Sequence, residues 1–303
     1  MALIFRRMFD EFKNAFQRYN NAHVQLIIIN VVVFLALAVV LVFSRALQFP
    51  EVFDILHDQL AIPAPIGMFI QKPWTILTYA FVHDLSGIFH ILFNMLIFYW
   101  FGKLFVEYLG SDKLIALYVL GALAGGIAYL LVYNTIPFYV ERVGTFNGMV
   151  GASAAVYAVV IATATLIPDY TFFLLFLGPV RIKYIAGVAL VVSFLGSVGD
   201  NAGGNIAHLG GALIGFVYLK QLQAGVNWGS WVTVTLDWFK GLFAAKPKVK
   251  VTYRKQYSES QKPRAKSSIS QDEIDAILDK ISDAGYESLT KEEKEKLFNA
   301  SKK

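Results

Sequence analysis

The sequence predicts an all-α polytopic membrane protein: six transmembrane helices in one bundle, followed by a short soluble helical hairpin. Three observations carry this. Only 16% of the 303 residues are charged, and the mean hydropathy is +0.52, too apolar for an ordinary soluble domain. Six apolar stretches crowd into residues 24–222 with mostly short connections. After residue 240 the composition turns basic and polar.

The elements follow in order. Residues 1–23 are charged and amphipathic and read as a cytoplasmic N-terminal segment; they lack a signal-peptide core and cleavage site, so the first span is expected to be retained. The membrane domain, 24–222, holds spans at roughly 24–43, 87–106, 113–133, 149–167, 182–199 and 204–222. The 44–86 connection contains Pro50, Pro63, Pro65 and Pro73 and is long enough to expect structure of its own. The run FFLLFL at 172–177 is too short to span and is expected at the interface. Residues 223–245, with Trp228, Trp231, Trp238 and Lys240, read as an interfacial amphipathic helix. Residues 246–269, with eight Lys/Arg against one acid, read as a basic linker. Residues 270–303 carry two capping-box patterns, Ser270 with Glu273 and Thr290 with Glu293, and an apolar stripe at Ile274, Ile277, Leu278 and Ile281, which predict the hairpin. Its docking partner is not legible.

The distribution of basic residues sets the topology. Arg6, Arg7, Lys13 and Arg18 precede span one, Lys103 and Lys113 flank the second-to-third turn, and Arg181 and Lys183 precede span five. Both termini are therefore expected in the cytoplasm, with 44–86, 134–147 and 200–203 outside. The net charge of +5 is concentrated in the tail and fits anionic lipid headgroups rather than nucleic acid. The absence of cysteine excludes disulfides, thiol nucleophiles and thiolate metal sites. No cofactor and no metal are expected.

Polar side chains inside spans are costly and point to a working site. His90 and Asn94 lie in the outer part of span two, Ser153 in the first turns of span four and His208 about five residues into span six. At ~1.5 Å per residue all fall within ~10 Å of the outer edge. Singly, each has a plain reading: a packing serine, a structural histidine, an interhelical asparagine. Their common depth favours chemistry. Ser153 is a poor nucleophile without a base, and His208 can be that base. Asn94, His90 and the Ser153 backbone N–H can hold an oxyanion, the last only if Ser153 starts its helix. The approach Asn147-Gly148-Met149-Val150-Gly151 permits this, and Tyr157 can stack on His208. Gly204, Gly211 and Gly215 share a stripe with His208 and let spans four and six touch. No acid is placed to complete a triad. His83 is expected to be a structural loop residue, Glu107 to pair with Lys103 or Lys113, and His23 and His57 to be incidental.

At HILFNM (His90, Asn94), GASA at 151–154 with Tyr157, AHLGG at 207–211, and Glu107 followed by LGSDKL, the chain resembles the rhomboid family of intramembrane serine proteases, in the six-span bacterial form. The resemblance covers about residues 70–222. It implies Ser153 as nucleophile, His208 as general base, oxyanion roles for His90, Asn94 and Ser153, and single-span transmembrane proteins as substrates, cut near the outer face. It also implies that loop 44–86 embeds in the outer leaflet, that span five acts as a gate, and that the protein resides in a bacterial inner membrane. Position 154 is Ala where the commonest family pattern has Gly, and the His83-to-His90 spacing is longer than is usual in the family. Two other functions are weighed: a non-catalytic rhomboid-like binder of membrane proteins, and a transporter or channel, for which the sequence offers neither internal repeats nor mid-span acids.

Overall fold

A computed structural model describes residues 20–85, 87–143, 148–243 and 271–301. The expected amphipathic segment before residue 20, the basic linker and Ser270 lie outside these residues. The chain divides into two compact units, 1–245 and 246–303.

The first unit opens with α1 (Ala22–Ala46). Its outer face is bare aliphatic surface, including Val32, Leu35, Val39 and Val42. Its one wholly buried polar side chain, Asn30, is satisfied: its amide donates to the Leu26 carbonyl at 2.8 Å and to the Tyr118 hydroxyl at 3.0 Å. The Tyr118 hydroxyl in turn donates to the Ala80 carbonyl at 2.8 Å. A buried hydroxyl and amide left unpaired would cost about 1–3 kcal/mol each, so this network fixes α1 against the turn at Ala80 and the helix that carries Tyr118.

The long connection after α1, expected to carry its own structure, is helical over much of 50–81. It forms α2 (Pro50–Leu60), α3 (Ile66–Gln71), α4 (Thr75–Thr78) and a 3₁₀ turn at Tyr79–Phe81. Side chains tie this loop down: the Trp74 indole donates to the Gln59 carbonyl at 2.8 Å and Asn134 to the Ala64 carbonyl at 2.8 Å. Then come α5 (Ile88–Leu109), α6 (Ser111–Thr135), the single turn α7 (Pro137–Val140) and α8 (Ser153–Leu166).

A two-stranded antiparallel hairpin, β1 (Thr171–Leu174) and β2 (Gly178–Arg181), follows. It departs from the all-α expectation. Aromatic and β-branched residues favour a pleated strand, and Gly178, at φ +69°, closes the turn. Phe173, Leu175, Phe176 and Leu177 project from its tip, each at least three-quarters exposed. The unit ends with α9 (Ile182–Gly196), α10 (Ala202–Gln223) and α11 (Ser230–Phe243).

Among the described residues, four helices, α1, α5, α6 and α10, are long and apolar enough to cross a membrane. Helices α8 and α9 are apolar but shorter. Helix α8 begins at Ser153, later than the apolar stretch does, because Gly148 (φ +87°) and Gly151 (φ +138°) hold the preceding chain out of helical geometry.

Helix α8 is the axis of the bundle, with all but a few of its side chains buried. Small residues bring its neighbours to backbone contact. A Cβ on Gly211 of α10 would lie 2.0 Å from the Ala154 carbonyl oxygen, and one on Gly215 2.3 Å from that of Ala158. From α6, a Cβ on Gly125 would come 2.5 Å from the Ala154 Cβ, and one on Gly121 2.6 Å from that of Ala158. Without a hydrophobic drive between helices in lipid, such close dispersion contact is what holds them together.

The second unit contains α12 (Gln271–Ala284) and α13 (Lys291–Ser301). Thr290 and Glu293 cap α13 reciprocally: the Thr290 N–H donates to the Glu293 carboxylate at 2.7 Å, and the Glu293 N–H to the Thr290 hydroxyl at 3.3 Å. That backbone donor, with the Lys280 ammonium from α12 at 3.0 Å, holds the Glu293 carboxyl down at about 2. Ile277 and Leu289 are buried, while Leu278 is exposed.

Candidate active site

The approach to α8 is pinned from the loop between α1 and α5. Ile62 and Met149 exchange both backbone hydrogen bonds, at 3.0 and 2.9 Å, and the Gly151 N–H donates to the Tyr79 carbonyl at 2.9 Å. A Cβ on Gly148 would press the Ala61 Cβ and the Ile62 carbonyl at 3.1 Å. The chain is thereby delivered to Ser153 as the first residue of α8. The first N–H groups of a helix have no intrahelical acceptor, and the dipole there favours negative charge.

Helix α10 runs against α8 through Gly211 and Gly215, and this sets the position of His208 three residues before Gly211. Ser153 Oγ and His208 Nε2 are 2.7 Å apart. The Tyr157 ring, one turn into α8, lies flat on the imidazole, with centroids 4.2 Å apart and planes within 8°. The other imidazole nitrogen, Nδ1, is 3.1 Å from Ser193 Oγ of α9. The Ser193 hydroxyl donates to the Tyr157 hydroxyl at 2.9 Å.

An open cavity of about 350 Å³ exposes the pair. Phe89, Phe93 and Ile97 of α5 form its apolar wall, with His90 and Asn94 on the same wall facing Ser153, Tyr157 and His208. The Asn94 amide donates one hydrogen to the His90 carbonyl at 2.9 Å. His90 also lines a second, more polar cavity of about 270 Å³ with Asp84, Tyr129, Tyr133 and Asp200. One face of the site is thus apolar, suited to a lipid-embedded ligand, and the other offers polar groups and room for water.

The site can do acyl-transfer chemistry. An imidazole nitrogen at hydrogen-bond distance from a serine hydroxyl is the arrangement that activates it, and His90, Asn94 and a helix N-terminus are donors on the same cavity. No acidic side chain contacts His208 among the described residues. Gly151 stands behind the serine, where a Cβ would come 3.5 Å from its Oγ.

The remaining singled-out residues fall elsewhere. His83 is buried, with its ring 6.1 Å from that of His90 and edge-on to it. Burial, and secondarily the neighbouring His90, push its imidazole down to about 4. Glu107 pairs with Lys103 at 3.9 Å on the exposed surface of α5, while Lys113 donates to the Leu109 carbonyl. His23 packs against Tyr99, and His57 against Phe53. Ser193 was not singled out from the sequence. The available signal was a lone hydroxyl within the aliphatic run VALVVSFLG, inside the stretch read as span five.

Fold and site together define a polytopic helical membrane protein with a serine–imidazole pair near the ends of its helices. The chain belongs to the rhomboid family: the Rhomboid domain matches residues 71–223. It is 32% identical over 162 residues to "RHOMBOID-like protein 12, mitochondrial" of Arabidopsis thaliana, covering 50% of this chain and 47% of that protein. It is also similar to "Presenilin-associated rhomboid-like protein, mitochondrial": 30% identical over 139 residues in Mus musculus and 32% over 140 in Bos taurus, each covering 44% of this chain and 34% of the relative. The chain spans less than half the length of these relatives. Residues 257–303 match a separate family of unknown function, DUF6576.

Proposed function

We propose that this protein is an intramembrane serine endopeptidase that cuts the transmembrane segments of single-span membrane proteins near the outer face through a Ser153–His208 dyad. The observation that carries this reading is the 2.7 Å approach of Ser153 Oγ to His208 Nε2, at a cavity with an apolar wall.

Ser153 Oγ attacks the scissile carbonyl while its proton passes to His208 Nε2. The carbonyl oxygen becomes an oxyanion held by the His90 ring N–H, the Asn94 amide and the Ser153 backbone N–H. Collapse breaks the C–N bond, and His208 returns its proton to the leaving amine. Water, arriving through the polar cavity beside His90, then hydrolyses the acyl-serine with His208 again as base. The shallow site suits this chemistry, because a peptide bond in a helix is shielded and must be unwound where water is near.

On this reading α8 and α9 complete a six-span bundle, the termini are cytoplasmic, loop 44–86 seats in the outer leaflet, and α9 gates entry. The basic 246–269 segment contacts anionic headgroups, and 270–303 folds as a hairpin docked on a further partner. The membrane expected from the sequence is a bacterial inner membrane, whereas the relatives named above are mitochondrial by name. The competing reading is a non-catalytic membrane-protein binder, which has no use for an activated serine.

Cleavage of a reporter transmembrane substrate in proteoliposomes separates the two. Wild type cleaves, and Ser153→Ala and His208→Ala lose cleavage by at least ~10³-fold while remaining folded. Retained cleavage in Ser153→Ala refutes the dyad.

A further inference from the structure

Ser193 is wholly buried, one of three buried residues on helix α9, whose other residues are half-buried or exposed. A serine inside an apolar helix ordinarily spends its hydroxyl on its own backbone, three or four residues back. Ser197, Thr163 and Thr165 do this, donating to the carbonyls of Phe194, Val159 and Ile161 at 2.7 Å. Ser193 does not. Its hydroxyl meets two groups on other helices, the Tyr157 hydroxyl at 2.9 Å and His208 Nδ1 at 3.1 Å.

The proton directions follow from the chemistry assigned to His208. A base that takes the Ser153 proton at Nε2 must carry its own resting proton on Nδ1. Nδ1–H then donates to Ser193 Oγ, Ser193 donates to the Tyr157 hydroxyl, and Tyr157 donates to the Ala189 carbonyl at 3.4 Å. Each hydroxyl uses its single hydrogen once, and the chain runs in one direction onto the α9 backbone. The opposite tautomer would turn Nε2–H toward Ser153 and reverse the chain's first link.

We infer that Ser193 is a positioning residue for His208: it accepts the Nδ1 proton, selects the tautomer whose Nε2 faces Ser153, and ties the imidazole to α9. This rests on the reading of Ser153 and His208 as nucleophile and base. Ser193 occupies the place of the acid in a catalytic triad but is neutral. It orients the ring without supplying a charge to the imidazolium, so its effect falls far below the roughly 10⁴-fold of a triad aspartate. The loss of one neutral hydrogen bond predicts about 5- to 10-fold.

The test compares full-length wild type, Ser193→Ala, Ser193→Cys, Ser193→Thr and Ser153→Ala in proteoliposomes on a reporter transmembrane substrate, with unfolding temperatures alongside. The cysteine variant keeps the side-chain volume, so it reports even where alanine loosens the packing. The expected result is a kcat lowered about 5- to 10-fold in Ser193→Ala and Ser193→Cys, KM held within about twofold, and kcat restored to within about twofold in Ser193→Thr. Wild-type kcat in the alanine and cysteine variants overturns the assignment, as does a loss that threonine fails to restore or that appears in KM alone. Wild-type cleavage by Ser153→Ala is a different failure, since it removes the dyad itself.

Discussion

Adding one methyl group at Gly211 tests whether helix contact sets the geometry of the site. Its Cβ would sit 2.0 Å from the Ala154 carbonyl oxygen, against an ordinary contact of 3.4 Å or more. Backbone cannot swing aside as a flexible side chain can, so α8 and α10 must part by about 1 Å at this level. Ser153 adjoins Ala154, and His208 is one turn from Gly211. The same displacement therefore opens the 2.7 Å Ser153–His208 separation toward 4 Å, beyond a hydrogen bond. Overpacking of this kind costs about 1–3 kcal/mol of stability, which a folded bundle survives, whereas a 1 Å misplacement of reacting groups costs about 10²-fold in rate. Gly211→Ala is expected to remain folded and lose cleavage of a reporter transmembrane substrate by about 10²-fold. Gly187→Ala on α9, where a Cβ meets nothing within 4 Å, serves as the control and keeps its rate. A Gly211→Ala protein cleaving at wild-type rate refutes the claim that this contact positions the dyad.

Two further outcomes follow from the site's surroundings. Gly148→Ala forces a Cβ into left-handed backbone at φ +87° and against Ala61 and Ile62; it should cost about 1–3 kcal/mol in unfolding measurements, and an unchanged unfolding midpoint contradicts the pinning role given to this turn. Burial lowers the His83 imidazole to about 4 in the folded protein, against 6.5 unfolded. Between these values the unfolded state binds more protons, so stability is lost as pH falls from about 6.5 toward 4, by up to about 3 kcal/mol. His83→Asn should flatten that slope in thermal unfolding from pH 7 to 4.5, and an unchanged slope counts against it.

The site was more legible in the sequence than the fold around it. Asn94, His90, Ser153 and His208 stood out because lipid makes each polar side chain conspicuous, and helix rise with loop charge gave the expectation that they share one depth. The glycine stripe through Gly211 and Gly215 was likewise readable, since only small residues let helix backbones touch. Ser193 was hidden by the same logic: a single hydroxyl in an aliphatic run satisfies itself on its own helix in most cases, and only three-dimensional contact shows that this one does not. The β1–β2 hairpin was read merely as a short apolar run, because periodicity cannot separate a four-residue strand from an interfacial turn. The late start of α8 depends on left-handed backbone at Gly148 and Gly151, and hydropathy carries no information about φ.

The most direct measurement is labelling by a serine-directed fluorophosphonate in native membranes, with the adduct located by mass spectrometry. An activated hydroxyl beside a basic nitrogen predicts one adduct, on Ser153, absent from Ser153→Ala and strongly reduced in His208→Ala. Failure of wild type to react, or an adduct that persists in Ser153→Ala, contradicts the account.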